Sequence, residues 1–195
     1  MRLAQVRQAA AYQLTKPVAQ LLAKTGLTPN SLTIAGFVVN LGAAGIIALG
    51  HLPLGGFLVL LSGAFDLLDG ALARIKKQQT RFGALLDSTS DRLSEAALLF
   101  GLLLLYTSNY LTLEVILIYV TFVGSVMVSY IRARAEGLGI ECQVGLFTRV
   151  ERVIVLALGL LLNQVLITLC LLAAVTYITA GQRLLYAWKH TRTER

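Results

Sequence analysis

Four of the ten acidic residues in this 195-residue chain, Asp66, Asp69, Asp87 and Asp91, fall in stretches otherwise apolar enough to be membrane helices. Asp66 and Asp69 are three residues apart and Asp87 and Asp91 four apart, so on helices each pair projects from a single face. Folding the two segments as a hairpin about the basic turn Lys76 to Arg81 sets Asp69, seven residues before it, level with Asp87, six after it. Asp66 and Asp91, each ten residues from the turn, then face one another. Two rungs of two carboxylates result, about one helical turn or ~5 Å apart. An ionised aspartate in a membrane helix costs about 2.5 to 3.5 kcal/mol on insertion scales, and four together also repel one another. Arg74 and Arg92 alone are too few to compensate. Hard carboxylate oxygens without cysteine or histidine suit magnesium or manganese, and four such ligands can hold a pair of ions. Buried ion pairs that only fix packing are the competing explanation, disfavoured because desolvation offsets most of their gain. Gly63, Ala64, Gly70, Ala71 and Ala73 on one segment and Gly83 and Ala84 on the other leave room for a ligand beside the acids. Glu95, four residues beyond Asp91, is read as structural support rather than a ligand.

The elements that must hold these acids are membrane helices. The chain is 56% hydrophobic and 14% charged, with mean hydropathy +0.74, and a soluble domain of this length would expose far more charge. The fold expected is all-α and polytopic, with six transmembrane helices near residues 32–50, 54–75, 82–106, 111–131, 153–162 with flanks, and 165–186. Only Asn163 and Gln164 separate the last two, which leaves a tight hairpin or one bent helix open. Lysine and arginine cluster before the first span, between spans two and three, between four and five, and after six. Apart from Arg92, none lies elsewhere, so the positive-inside rule places both termini, both long loops and the acids on the cytoplasmic side. The net charge of +7 is thereby explained by topology, and no nucleic-acid partner is expected. An amphipathic helix over 1–26 is expected to lie on the membrane surface, with Leu3, Val6, Ala10, Leu14, Val18 and Leu21 on one face. Gly26, Pro29 and Asn30 would end it, with Asn30 or Ser31 as the next N-cap. One domain, 1–195, is expected, its six-helix core spanning 32–188. Cys142 and Cys170 have the spacing of neither a disulfide framework nor a zinc site and read as packing residues.

Residues 66 to 91, DLLDGALARIKKQQTRFGALLDSTSD, resemble the signature of the CDP-alcohol phosphotransferase family. Its pattern is Asp, two residues, Asp-Gly, two residues, Ala-Arg, eight residues, Gly, three residues, Asp, three residues, Asp, and each fixed position is met. The resemblance implies a six-helix core with a leading interfacial helix, usually homodimeric, and transfer of a substituted phosphate from a CDP-lipid to an alcohol with release of CMP. It further implies two divalent ions, magnesium or possible manganese, held by Asp66, Asp69, Asp87 and Asp91. Asp66 and Asp87 would be shared between the ions, and Asp91 would also take the acceptor hydroxyl proton. Nucleotide contacts carried over by resemblance are Gly70 and Arg74, Thr80 in the turn, and Asn30, Ser31 and Thr33 at the start of the first span.

The basic segments SYIRARAEGLG and FTRVER, with Arg183, suit an acceptor that already bears a phosphate. Together with GALLDSTSDR they are most similar to the branch of the family that makes phosphatidylinositol phosphate from inositol 1-phosphate, archaeal ether-lipid forms included. That similarity implies Arg132, Arg134, Arg152 and Arg183 as the acceptor-phosphate set and a prokaryotic plasma membrane as the location. Arg132 and Arg134, two apart, would not share a helix face. Phosphatidylglycerophosphate synthesis from glycerol 3-phosphate is the nearest alternative activity. An ion-coupled transporter is the non-enzymatic one, which predicts polar residues continuing toward the outer surface. Here the outer halves are mostly leucine, which favours a site open to one side.

Overall fold

A chain whose outer surface and core are both apolar folds by hydrogen-bonding its backbone within helices and burying its few polar groups against one another. The structure, a computed structural model, describes residues 15–142 and 144–192. The six named helices are α1 (Pro29–Ala48), α2 (Leu52–Ile75), α3 (Arg81–Ser108), α4 (Thr112–Gly137), α5 (Arg149–Leu161) and α6 (Val165–Arg192). Residues 15–23 are also helical, with Val18 and Leu21 exposed. The rest of the expected interfacial stripe, Leu3, Val6, Ala10 and Leu14, lies outside the described residues.

Thr28, not Asn30 or Ser31, caps α1. Pro29 is the reason: it has no N–H to satisfy, and it holds the residue before it extended, which is the geometry an N-cap requires. Thr28 Oγ1 accepts from the Ser31 N–H at 3.2 Å, and Ser31 Oγ accepts from the Thr28 N–H at 3.1 Å. Short turns at Leu49 to His51, Asn109 to Leu111 and Leu162 to Gln164 fold the helices into antiparallel hairpins. Asn163 adopts φ +56°, a left-handed conformation that asparagine tolerates. The last two helices are therefore a hairpin and not one bent helix.

Helix α1 packs against α2 and α3, α2 against α5, α3 against α4, and both α4 and α5 against α6. Ile47, Leu98, Leu102, Leu160 and Leu169 are fully buried at the centre. Helices α1, α2, α4 and α6 are long and apolar enough to cross a membrane. Helix α3 carries Asp87, Asp91, Arg92 and Glu95 through its first half, and α5 has only 13 residues, about 20 Å of helix against a hydrocarbon core of about 30 Å. By length and composition these two do not qualify. Large apolar side chains such as Val38, Phe57, Phe100 and Ile116 are exposed on the outside, which a lipid surround accommodates and water would not.

Two glycines bring helix backbones into contact. A Cβ at Gly101 would stand 2.4 Å from the carbonyl oxygen of Ala44, and one at Gly56 would stand 2.7 Å from that of Ala157. Both obstacles are backbone, so neither can swing aside. Gly101→Val is expected to force α1 and α3 apart and cost about 1–3 kcal/mol or more. Gly42→Ala, which meets nothing within 4 Å, serves as the control. Thermal unfolding of the two purified variants in detergent should show a lowered midpoint for the first and little change for the second.

Candidate active site

The carboxylates meet where the first turns of α1, α3 and α5 converge on the last turns of α2. Their placement follows from the local sequence: Thr80 caps α3, its Oγ1 accepting from the Gly83 N–H at 2.9 Å, which starts the helix nearly two turns before Asp87. Lys76 Nζ donates to the carbonyls of Thr25 and Leu27 at 3.0 and 2.7 Å, tying the α2–α3 turn to the segment that leads into α1. Asp69 and Asp87 line one cavity of about 400 Å³. Asp66 Oδ2 accepts from Arg149 Nη1 at 2.5 Å, and Asp91 Oδ1 forms an ion pair with the same nitrogen at 2.7 Å. Asp69 and Asp87 thus share a cavity and Asp66 and Asp91 share an arginine.

Each acid has a distinct environment. Asp69 is buried and accepts from Thr33 Oγ1 at 2.6 Å. Arg92 Nη1 donates to the Ser88 carbonyl at 2.5 Å and lies 3.8 Å from Asp91 Oδ2. Asp66 Oδ1 and Asp91 Oδ2 remain outside the Arg149 bridge. Of the six residues expected to contact nucleotide, Asn30, Thr33, Gly70, Arg74 and Thr80 line the cavity with Asp69 and Asp87. Ser31 does not, and its hydroxyl is engaged in the α1 cap, donating to the Thr28 carbonyl at 2.7 Å. Gly83 lets that cavity close tightly, since a Cβ there would stand 3.0 Å from Thr80 Oγ1 and 3.2 Å from Asn30 Oδ1.

The arginines divide by task. Arg152 is 4% exposed and makes a two-pronged bond to Glu95, Nε to Oε1 at 2.9 Å and Nη2 to Oε2 at 3.1 Å. Ser125 Oγ adds a third bond to Glu95 Oε1 at 2.5 Å. Glu95 therefore serves as structural support, locking α3 to α5 and α4. Arg183 is also buried and donates through Nε to the Val144 carbonyl at 2.9 Å and through Nη1 to the Val128 carbonyl at 2.7 Å. These bonds tie Val144 through α6 to α4, with Gln182 accepting from the Leu146 N–H at 3.1 Å. Arg132 and Arg152 are close enough to Arg183 to repel it electrostatically. Arg132 is half-exposed and paired with Glu136 at 2.8 Å, one turn along the same helix. Arg134 is exposed and is not among the charges acting on Arg183.

Arg149 is the residue that sequence reasoning placed only in a basic cluster. Its signal was present in FTRVER: Arg149 and Arg152 are three apart and share a face of α5, and each meets acid on that face. Arg149 supplies the positive charge that Arg74 and Arg92 could not.

Among the described residues, no three histidine, cysteine, aspartate or glutamate side chains stand in position around one ion. The donor chemistry nevertheless fits a hard divalent cation: four carboxylates on facing helices, no sulfur or imidazole, and two oxygens left outside the arginine bridge.

A family model, CDP-alcohol phosphatidyltransferase, matches residues 26–184. The chain belongs to the CDP-alcohol phosphatidyltransferase family and is an enzyme of that class, which decides against the transporter reading. It is 38% identical over 182 residues to the archaetidylinositol phosphate synthase of Methanothermobacter thermautotrophicus, covering 90% of this chain and 89% of that one. It is 36% identical over 192 residues to the phosphatidylinositol phosphate synthase of Mycobacterium tuberculosis, covering 93% and 88%. A crystal structure of the Mycobacterium tuberculosis enzyme with CDP-DAG bound superposes with TM-score 0.81 at 35% identity, over 90% of this chain and 94% of that one. A second, in complex with manganese and citrate, gives TM-score 0.81 at 36% identity, over 89% and 88%.

The Glu95–Arg152 pair generates a stability prediction. Arg152→Met leaves a buried carboxylate without its partner and should cost about 3–5 kcal/mol, whereas replacing both residues by apolar ones should cost much less. Denaturant or thermal unfolding of the single variant, and of Glu95→Leu combined with Arg152→Met, would check this.

Proposed function

We propose that this enzyme transfers the phosphatidyl group of CDP-diacylglycerol, or its ether-lipid equivalent, to the hydroxyl of an inositol phosphate, giving phosphatidylinositol phosphate and CMP. The observation that carries the reading is the adjacency of two clusters at one end of the bundle: the four carboxylates with their cavity, and Arg132, Arg152 and Arg183 beside them. The first suits a cytidine diphosphate and the second a phosphorylated polyol. The names of the archaeal and mycobacterial relatives point the same way.

Asp66, Asp69, Asp87 and Asp91 would hold two divalent ions, magnesium or manganese. When bound, such ions polarise the phosphorus under attack and neutralise the charge of the departing CMP. The chain's own groups do the rest. Thr33 holds Asp69 in place through its hydroxyl. Arg74, Gly70, Thr80, Asn30 and Thr33 frame the cavity that would receive the nucleotide. Asp91 takes the proton of the acceptor hydroxyl as its oxygen forms a bond to phosphorus and the bond to CMP breaks. Arg152 and Arg183, held by Glu95 and by backbone carbonyls, act as fixed positive charge near the acceptor phosphate. Arg132, half-exposed, is the one of the three free to close on it.

All six helices would cross the bilayer, with termini and site cytoplasmic, and residues 1–26 would lie on the inner surface. The three hairpin turns at the far end contain no lysine or arginine, whereas at the other end Lys76 and Lys77 lie between α2 and α3 and Arg132, Arg134 and Arg149 lie on the helix ends of α4 and α5, which supports that orientation. Helix α5 is short for a span, but Arg149 and Arg152 of its first turn meet the acids of the site.

Purified protein with magnesium and CDP-diacylglycerol should release CMP on addition of inositol 1-phosphate. Release with glycerol 3-phosphate and not with inositol 1-phosphate would overturn the acceptor and select phosphatidylglycerophosphate synthesis. Asp91→Asn should lower turnover about 10²- to 10⁴-fold, with manganese binding by electron paramagnetic resonance largely kept. Near-normal turnover would remove Asp91 as the base.

A further inference from the structure

Behind the Asp66–Asp91 rung, on the side away from the nucleotide cavity, lies a second and much smaller space. It holds about 20 Å³ and is bounded by Asn40, Asp91, Ser94, Glu95, Arg149 and Arg152, among others. Two buried side-chain atoms of its wall, Asn40 Oδ1 and Arg149 Nε, have no hydrogen-bond partner. One is an acceptor and the other a donor.

The orientation of the Asn40 amide is determined by its neighbours. Ser62 Oγ donates its single proton to the Gly36 carbonyl at 2.9 Å, so toward Asn40 it can only accept. The Asn40 atom 2.7 Å from Ser62 Oγ must therefore be the amide nitrogen, and the oxygen is the atom left unpaired. A buried acceptor without a partner costs about 1–3 kcal/mol, and a charged donor more, so two such atoms bordering one space call for a common occupant.

Size and charge together select it. The volume is about that of one water, which needs roughly 10–15 Å³ by this measure and two to four polar partners. It is too small for any part of a nucleotide or polyol. A cation is excluded by the guanidinium groups of Arg149 and Arg152, and an anion by Asp91, Glu95 and the Asn40 carbonyl oxygen.

We infer that a single buried water accepts from Arg149 Nε–H and donates to Asn40 Oδ1, making Asn40 on α1 a positioning residue for Arg149. The guanidinium is then held at both ends, by Asp66 and Asp91 through Nη1 and by α1 through the water. Asn40 in turn is anchored through Ser62 on α2. This chain makes the spacing between Asp66 and Asp91 depend on α1 and α5 besides the two helices that carry them, and it acts on the base without touching substrate. The water site stands on geometry alone; its effect on turnover rests on the proposed transfer reaction.

The test has two readouts. A density map of the full chain that resolves ordered water should show a peak within about 3.2 Å of both Asn40 Oδ1 and Arg149 Nε. An empty space, or a direct bond between the two atoms, would overturn the inference whatever the enzyme's substrate. Asn40→Leu, close in size but without an acceptor, should lose the peak and lower kcat for CMP release about tenfold while leaving KM for the CDP-lipid nearly unchanged. Asn40→Ser, which keeps an acceptor and admits a second water, should recover most of kcat. Unchanged kcat in a folded Asn40→Leu protein would refute the positioning role. No CMP release by the wild type with any phosphorylated polyol would instead count against the reaction, with the density peak still deciding the water site.

Discussion

Four carboxylates in an interior of low dielectric repel one another and resist desolvation, and the rest of this molecule is arranged around that constraint. A transmembrane aspartate is tolerated when it faces the bundle and meets a donor or cation there. Each of the donors found comes from a different helix: Thr33 of α1 on Asp69, and Arg149 of α5 on Asp66 and Asp91. The acids therefore tie α1, α2, α3 and α5 together at one end. That same end carries Lys76 and Lys77 in the α2–α3 turn and Arg149 at the start of α5, so basic residues gather around the acids.

Away from the acids the interior is lightly polar and tightly packed. Thr121, Ser125, Thr168, Thr176 and Thr179 are buried with the leucines, and glycines at 56 and 101 bring helix backbones into contact. Lipid offers no hydrophobic drive for helices to associate, so close packing and internal hydrogen bonds must supply it. The apolar outer surface serves solvation in the bilayer instead. Function concentrates in α3 and α5, the two helices least suited by composition to cross a membrane. Helix α3 gives up apolar length to carry two of the four aspartates and Glu95, and the 13-residue α5 carries in its first turn the arginine that reaches Asp66 and Asp91.

Two arginines show how a buried charge is held in place. Arg152 gives its Nε and Nη2 to Glu95, and Arg183 gives its Nε and Nη1 to backbone carbonyls. Both are buried and fixed by these bonds, so an anion drawn to them would not have to order a long side chain. The half-exposed Arg132 stands beside them as the adaptable member. Ser31, drawn into the helix cap with Thr28, illustrates the reverse case, a hydroxyl whose local geometry committed it elsewhere.

Most of the fold and the heart of the site were legible in the chain itself. Helix identity followed from long apolar runs, and the gathering of the four aspartates at one end of the bundle from the 3.6-residue period and a short turn. These are local properties, or properties of one hairpin, and chain geometry alone carries them. The cap of α1 was misplaced by two or three residues because Pro29 shifts the boundary to Thr28. What only the tertiary structure decided was which arginine meets which acid. Arg149 reaches Asp66 across 83 residues of sequence, Arg152 reaches Glu95 across 57, and Arg183 reaches the Val128 carbonyl across 55. Such partners depend on how α5 and α6 dock against the other helices. A side-chain pattern read along one strand of sequence holds no record of that docking until the helices have packed.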